Sequence, residues 1–262
     1  MYITDFTYDN ISLSSLGYVV CGFNTSSQEE ISNGSNIEFT KVATDGGRYY
    51  ALANSIYPEC LTTTFSICKN YCASNYDPRM TVAEISRIAS WLNRKDFHKL
   101  TVDADGYENI FFEGSFPTIQ RVEFGGDVIG LTLQFVTNKP FANSAKKTTT
   151  LTFNAAGSQT LNVYSDELTD FYPEKVTITP TAAGNITVNG CTIKNCGAGE
   201  IITLEYPTIS SSNTSHSLAN DFNYNFIKLT KNTVGDYQAN TITASAACTV
   251  KFEYYPVVKI SL

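Results

Sequence analysis

The chain has 262 residues, enough for one large or two ordinary domains. Its 42% apolar and 13% aromatic content supports real cores, and only 16% of its residues are charged, which argues against disorder and leaves much neutral polar surface of the kind assembly proteins carry. A net charge of −7 and a pI near 4.9 repel phosphate, so nucleic acid and anionic membrane are poor partners.

The N-terminal stretch MYITDFTYDNISLSSLGYVV lacks a basic region followed by an apolar run, and no segment reaches the roughly 18 apolar residues of a membrane span. A soluble protein made in the cytoplasm is the expectation. Seven cysteines is an odd number, so at least one has no internal partner, and in a reducing compartment the default is free, mostly buried thiols.

Alternation of apolar and polar residues dominates the rest of the chain. In LTTTFSIC, Leu61, Phe65 and Ile67 share a face. The helix comes next and is well signalled. Asp77-Pro78 breaks the chain, Thr81 and Glu84 fit a capping box, and Val82, Ile85, Ile88, Ala89 and Leu92 form a helical stripe beside the single tryptophan, Trp91. Arg94 and Lys95 are expected near its C-terminal end, where the helix dipole favours cations. The helix should cover one face of the first sheet, with Trp91 packing in the core or at an interface. Further strands come after it: Ile129, Leu131, Leu133 and Phe135; Val176 and Ile178; Ile186 and Val188; Ile202, Leu204 and Tyr206; Cys248, Val250, Phe252 and Tyr254. Turns are expected at Asp45-Gly46-Gly47, Asp105-Gly106, Gly125-Gly126, Ala183-Gly184-Asn185 and Asn189-Gly190. Many short strands at this spacing point to antiparallel sandwiches or barrels.

Pro140 and the polar stretch after it mark a boundary, giving domains at 1–140 and 141–262. The charge differs across it: 10 basic against 16 acidic residues before (net −6), 8 against 9 after (net −1). No solenoid repeat is present.

Candidate chemistry is sparse. The two histidines, His98 and His216, have no GxSxG elbow nearby, so no catalytic triad is assigned. Cys60, Cys68 and Cys72, and the pair Cys191 and Cys196, show CxxxC and CxxxxC spacings rather than the CxxC knuckle of structural zinc, and burial explains Cys68 on its strand. DADGYEN (103–109) begins like a calcium loop, but the later glutamate and flanking helices are missing, and a hairpin turn is simpler. There is no P-loop and no GxGxxG. An aromatic sugar platform is an option for a sandwich, yet the second half has no Trp and its Tyr and Phe sit mostly at strand positions, which favours core. Catalytic, cofactor-binding and metal-binding residues are therefore each assigned as none.

In order and spacing, these elements resemble the distal tail protein (Dit) family of long-tailed, non-contractile bacteriophages. Three stretches carry the likeness. EISRIASWLNRKDFHKLTVDADGYENIFFEGSF (84–116) has a helix ending in Trp91-Leu92, then Lys99-Leu100, an Asp-rich turn at 103–106 and the aromatic strand with Phe111-Phe112. LTLQFVTNKPFA (131–142) looks like the exit from the first domain. The third runs from FYPEKVTITPTAAGNITVN through NFIKLTKN to TVKFEYYP, with a Tyr-Pro entry and a closing aromatic strand. The high cysteine content departs from the family pattern, as does NDFNYNF where a Gly-Asx turn is usual. The large second-domain insertions that hold receptor-binding proteins are missing.

The resemblance implies a mainly β protein: an N-terminal sandwich or barrel-like domain with one α-helix, then a galectin-like antiparallel β-sandwich. It implies a structural virion protein, no enzyme, assembled in the host cytoplasm and resident at the tail tip. Its expected partners are itself, as a homo-hexameric ring, the tail tube protein and the tail-tip hub, with a receptor-binding protein as an optional addition. DNA would pass through the ring's channel without specific binding. The alternative is a carbohydrate- or receptor-binding sandwich module of a tail or tail-like particle; a hydrolase comes last.

Overall fold

The computed structural model describes residues 3–23, 35–43, 50–72, 76–166, 170–230 and 238–262. The expected turn at Asp45-Gly46-Gly47 lies outside the described residues. The chain packs as two units, Met1–Asn143 with Val258–Leu262, and Ser144–Val257. The C-terminal residues join the first unit because Leu262, 7% exposed, enters its apolar core together with Val258 and Ile260.

The first unit is built from β1 (Asp5–Tyr8), β2 (Ile11–Ser12), β3 (Tyr18–Val20), β4 (Glu38–Ala43), β5 (Tyr50–Ile56), β6 (Thr62–Lys69), α1 (Val82–Leu92), β7 (His98–Asp103), β8 (Ile110–Phe124), β9 (Asp127–Thr137) and β10 (Ala142–Ser144) at its exit. Its main sheet runs β2-β1-β7-β8-β9-β6-β3, all antiparallel. The sheet curls: Val20 N–H reaches Thr4 O at 3.5 Å, so β3 at one end approaches the start of β1 near the other, which gives the sheet a barrel-like character. The concave side holds Phe6, Tyr8, Phe65, Phe112, Phe116, Leu133 and Phe135, all buried. The Asp9-Asn10 turn closing β1 on β2 has both residues at positive φ, 50° and 63°, the geometry a two-residue hairpin needs to match strand twist.

Helix α1 starts as the capping box requires. Thr81 Oγ1 accepts from Glu84 N–H at 3.3 Å, and Glu84 Oε2 accepts from Thr81 N–H at 2.7 Å. Ile85, Ile88 and Leu92 are buried and close the core; Val82, at the head of the same stripe, is 75% exposed, because the first helical position lies one turn outside the sheet it covers. The expected cations, Arg94 and Lys95, follow directly after the helix end, just outside its last turn. The helix stops at Leu92, and Arg94 turns back to Asp9 instead, 2.9 Å away. Trp91 stacks on Phe6 at 6.0 Å and donates its indole N–H to Tyr8 O, which packs it, half-buried, against the core.

The second unit contains β11 (Lys147–Phe153), β12 (Gly157–Val163), β13 (Lys175–Pro180), β14 (Gly184–Val188), β15 (Cys191–Cys196), β16 (Ile202–Glu205), β17 (Thr208–Ser211), α2 (Leu218–Asp221), β18 (Gln238–Ala244) and β19 (Cys248–Tyr254), with β20 (Val257–Val258) where the chain leaves it. Two antiparallel sheets, β11-β19-β13-β16-β17 and β12-β18-β14-β15, form a sandwich. Ile178, Leu204, Val250 and Phe252 from the first meet Leu161, Ile186, Ile193 and Ile242 from the second in one core. The fold class is thus mainly β, with one substantial helix.

Candidate functional site

The two histidines are the first candidates for chemistry. His98 opens β7, with Nε2 2.8 Å from Asp96 Oδ2 and Nδ1 3.4 Å from Asp9 Oδ1. Asp9 also receives Arg94, whose hydrogen bond holds that carboxyl below the usual carboxylate range, and the Arg94 guanidinium lies 5.5 Å above the Tyr8 ring. The basic run after α1 is therefore clamped by an aspartate that the β1–β2 turn presents.

His216 sits in a second cluster, in the loop after β17. Its Nδ1 lies 2.5 Å from Glu200 Oε1, and both side chains are 2% exposed. Glu200 further accepts from Ser211 Oγ and from Gly197 N–H. His216 Nε2 faces Asp221 Oδ2 at 3.4 Å without a hydrogen bond of good geometry. Burial alone would raise the Glu200 pKa, but the hydrogen bonds from Ser211, Gly197 and His216 outweigh it and leave it lowered. Burial likewise works against charge on His216, and the Glu200 carboxylate prevails, leaving its pKa raised. The Ser211 hydroxyl is committed to the acid, not to the imidazole, so no nucleophile–base pair forms. The cluster ties the Gly197–Asp221 region together.

All seven cysteines are free thiols. Cys60 and Cys72 are exposed and Cys68 is half-buried on β6; Cys191, Cys196 and Cys248 are buried in the sandwich. Burial pushes the Cys21 and Cys191 thiols up to about 12 and Cys196 to about 11. Such groups remain protonated at neutral pH and are poor nucleophiles. Among the described residues no three His, Cys, Asp or Glu side chains gather as a metal site. Asp105-Gly106 forms the turn between β7 and β8, where Gly106 has φ +86° and its N–H is bound by Glu108 Oε1 at 3.0 Å.

What the surface does offer is apolar side chains. The hairpin β4–β5 is a two-stranded sheet of its own. Ile37 (47% exposed), Phe39 (51%) and Ile56 (47%) flank it. Register places Phe39 opposite Ser55 and Ile56 opposite Glu38, so both faces carry an exposed apolar residue. At the far end of the long β8–β9 hairpin, Phe124 is 77% exposed beside the Gly125-Gly126 turn. In the second unit the exposed set is mostly tyrosine: Tyr164, Tyr206 and Tyr224. Alternation puts Tyr206 in step with Ile202 and Leu204. It is instead 54% exposed in the β16–β17 turn, because Pro207 ends the alternation.

Residues 1–139 match the family model described as phage tail protein N-terminal domain, and residues 141–254 match the one described as phage tail C-terminal domain. The chain belongs to this phage tail protein family. As a phage tail component it resides in the virion tail. Among solved structures, the SPP1 Dit (gp 19.1) protein, described as a paradigm of the hub adsorption apparatus in phages infecting Gram-positive hosts, aligns with a TM-score of 0.66 at 14% identity over 97% of this chain and 99% of that one. Chains of the phage P2 baseplate in its activated conformation align at 8% identity: with Ca at TM-score 0.41, covering 97% and 98%, and with Sr at 0.40, covering 96% and 98%. No curated protein matches the sequence. At 14% identity the likeness to SPP1 Dit is one of fold, and the tail protein has that Dit-like fold from end to end. Among its described residues no helix is long and apolar enough to cross a membrane.

Proposed function

We propose that the tail protein is a non-enzymatic hub component that forms a six-copy ring at the distal end of the tail tube and joins the tube to the tip. The observation that carries this reading is the β4–β5 hairpin. A two-stranded hairpin alone is marginal in water, and this one bears exposed Ile37, Phe39 and Ile56 with no third strand among the described residues. Burying such residues against the next copy stabilises both, and a heterologous contact of this kind closes into a ring. Phe124 at the β8–β9 tip is a second contact of the same type. The hub named for SPP1 Dit supports the assignment by fold.

In this reading residues 1–140 form the tube-like, ring-forming domain, and residues 141–262 form the sandwich that points outward. The partners are further copies, the tube protein and the tip hub, with a receptor-binding protein as an optional addition. The acidic excess of the first half suits a channel wall that DNA slides past without sticking. Mass photometry of the pure chain, alone and with tube protein, tests the proposal. Rings of six copies are expected, and Phe39→Asp should return single copies that still melt cooperatively, at a temperature lowered only by the loss of the ring contact. A chain that stays single in both settings overturns the ring.

A further inference from the structure

Two of the second unit's exposed tyrosines, Tyr206 and Tyr224, belong to one run of rings. Tyr206, in the β16–β17 turn, stacks on Tyr172 with ring centroids 3.8 Å apart and planes 2° from parallel. Phe226 meets Tyr206 edge-on at 5.3 Å, Phe222 meets Phe226 at 5.1 Å, and Tyr224 lies 5.3 Å from Phe222. Phe222 is 4% exposed and belongs to the sandwich core. The run of rings is thus rooted in rigid structure and emerges at two ends, Tyr206 at 54% exposure and Tyr224 at 64%.

Tyr224 is held at φ +57°, a left-handed conformation that a residue with a Cβ adopts at a cost. Its hydroxyl is tied to Ala219 O at 3.0 Å, which fixes the ring. Strain held in place while the ring stays in water points to a use for the ring.

The rim is polar. Lys228 Nζ sits 5.2 Å over the Tyr172 ring. The hydroxyls of Tyr172 and Tyr206 and the side-chain amide of Asn225 make no hydrogen bond among the described residues, and Asn223, Asn225, Thr208 and Lys228 are exposed. Rigid tyrosines that give contact area at low entropic cost, flanked by amides, are a composition suited to recognition.

Size decides the class of ligand. A tyrosine buries roughly 150–250 Å² when fully covered, so two half-exposed rings offer on the order of 250 Å². A standard protein interface takes about 800 Å² from each partner. By themselves the two rings offer the contact area of one or two sugar rings. A pyranose has a flat C–H face to lie on an aromatic ring and peripheral hydroxyls to meet the phenols, amide and ammonium.

We propose that the Tyr206–Tyr224 surface of the second unit binds a pyranose-containing glycan by ring stacking. The inference goes beyond ring assembly and is read independently of it: particle mass tests the one, glycan contact the other.

The test uses the full chain and a panel of neutral, N-acetylated and anionic oligosaccharides, followed by saturation-transfer NMR. At least one class should show contact through its ring C–H protons. Tyr206→Ala and Tyr224→Ala should each weaken that binding at least tenfold, while Tyr71→Ala, an exposed tyrosine of the other unit, leaves it unchanged; melting curves of the variants verify folding. No contact with any class at millimolar sugar overturns the proposal. So does binding that survives both platform variants. If Tyr206→Ala instead breaks assembly and no glycan binds, the surface is a protein contact and the proposal fails.

Discussion

Gly114 gives the sharpest test of how the first unit packs. It lies in mid-sheet, paired with His98 on β7 and with Thr137 on β9. A Cβ there would sit 2.3 Å from Val136 O and 2.6 Å from Phe135 Cζ, and the first of these is backbone that cannot swing aside. Its own carbonyl accepts the buried Tyr8 hydroxyl at 3.2 Å, so a shift of the strand also disturbs that bond. Overpacking of this kind costs about 1–3 kcal/mol, and the backbone clash places Gly114→Ala at the upper end, about 3 kcal/mol. For a unit of this size each kcal/mol lowers the melting temperature by roughly 2–4 °C, so a fall of about 6–12 °C is expected. Trp91 is the chain's single tryptophan and packs against the same core, so its fluorescence during thermal melting reports this unit. Gly106→Ala is the control: it meets nothing within 4 Å but sits at φ +86°, and should cost only the left-handed penalty of about 1–2 kcal/mol. If Gly114→Ala melts with the wild type, or no lower than Gly106→Ala, the close approach of β8 and β9 is not as described.

The Glu200–His216 pair makes the second unit's stability depend on pH in two directions. His216, with its pKa raised, contributes in full below its ordinary 6.5 and loses the contribution as pH rises through its folded value. Glu200, with its pKa lowered, contributes in full above its ordinary 4.5 and loses it as pH falls through its folded value. Calorimetry should therefore place the pair's largest effect between about pH 4.5 and 6.5. Glu200→Gln should remove the acid-side decline and weaken the alkaline-side one, because its carboxylate is what raises His216, whereas His216→Asn should remove the alkaline-side decline and leave part of the acid-side one, which Ser211 and Gly197 also sustain. Thr81→Ala deletes one half of the capping box and should cost about 1 kcal/mol, read as a fall of roughly 2–4 °C in the Trp91 melt. Titration with a thiol reagent should modify exposed Cys60 and Cys72 quickly, while buried Cys191, Cys196 and Cys248 react only on unfolding; fast labelling of the buried three would contradict the sandwich core.

The parts of the fold that sequence reveals are those written in local periods. Strands β6, β13 and β19 carry their buried residues at every second position, on the faces that alternation predicts, and β9 does so from Leu131 onward. The start of α1 is legible because a capping box is a contact between residues three apart. Where a local rule competes with something else, it fails. Arg94 prefers a carboxylate 85 residues upstream to the diffuse field of its own helix. Pro117 lies inside β8, and the strand continues through it to 15 residues by shifting register between Ser115 and Thr118.

The surfaces are harder to see, for a different reason. Alternation identifies residues that turn inward, and exposure is then inferred by default, so an aromatic in a turn is easily folded into the nearest strand. Tyr206 shows the error: two residues on from Leu204 it has the right spacing for the core, and only Pro207 signals that the strand has ended. Glu200, Ser211, His216 and Asp221 lie at no motif spacing, and nothing short of the folded chain brings them together. Contact surfaces obey the same logic. Phe39 is ordinary as a strand residue; its distinction is that its strand has a single neighbour among the described residues, and the number of neighbours a strand finds is a property of the sheet. That is why a hairpin with apolar residues on both faces directs the search for partners to the first unit, while rings fixed in loops direct the search for a small ligand to the second.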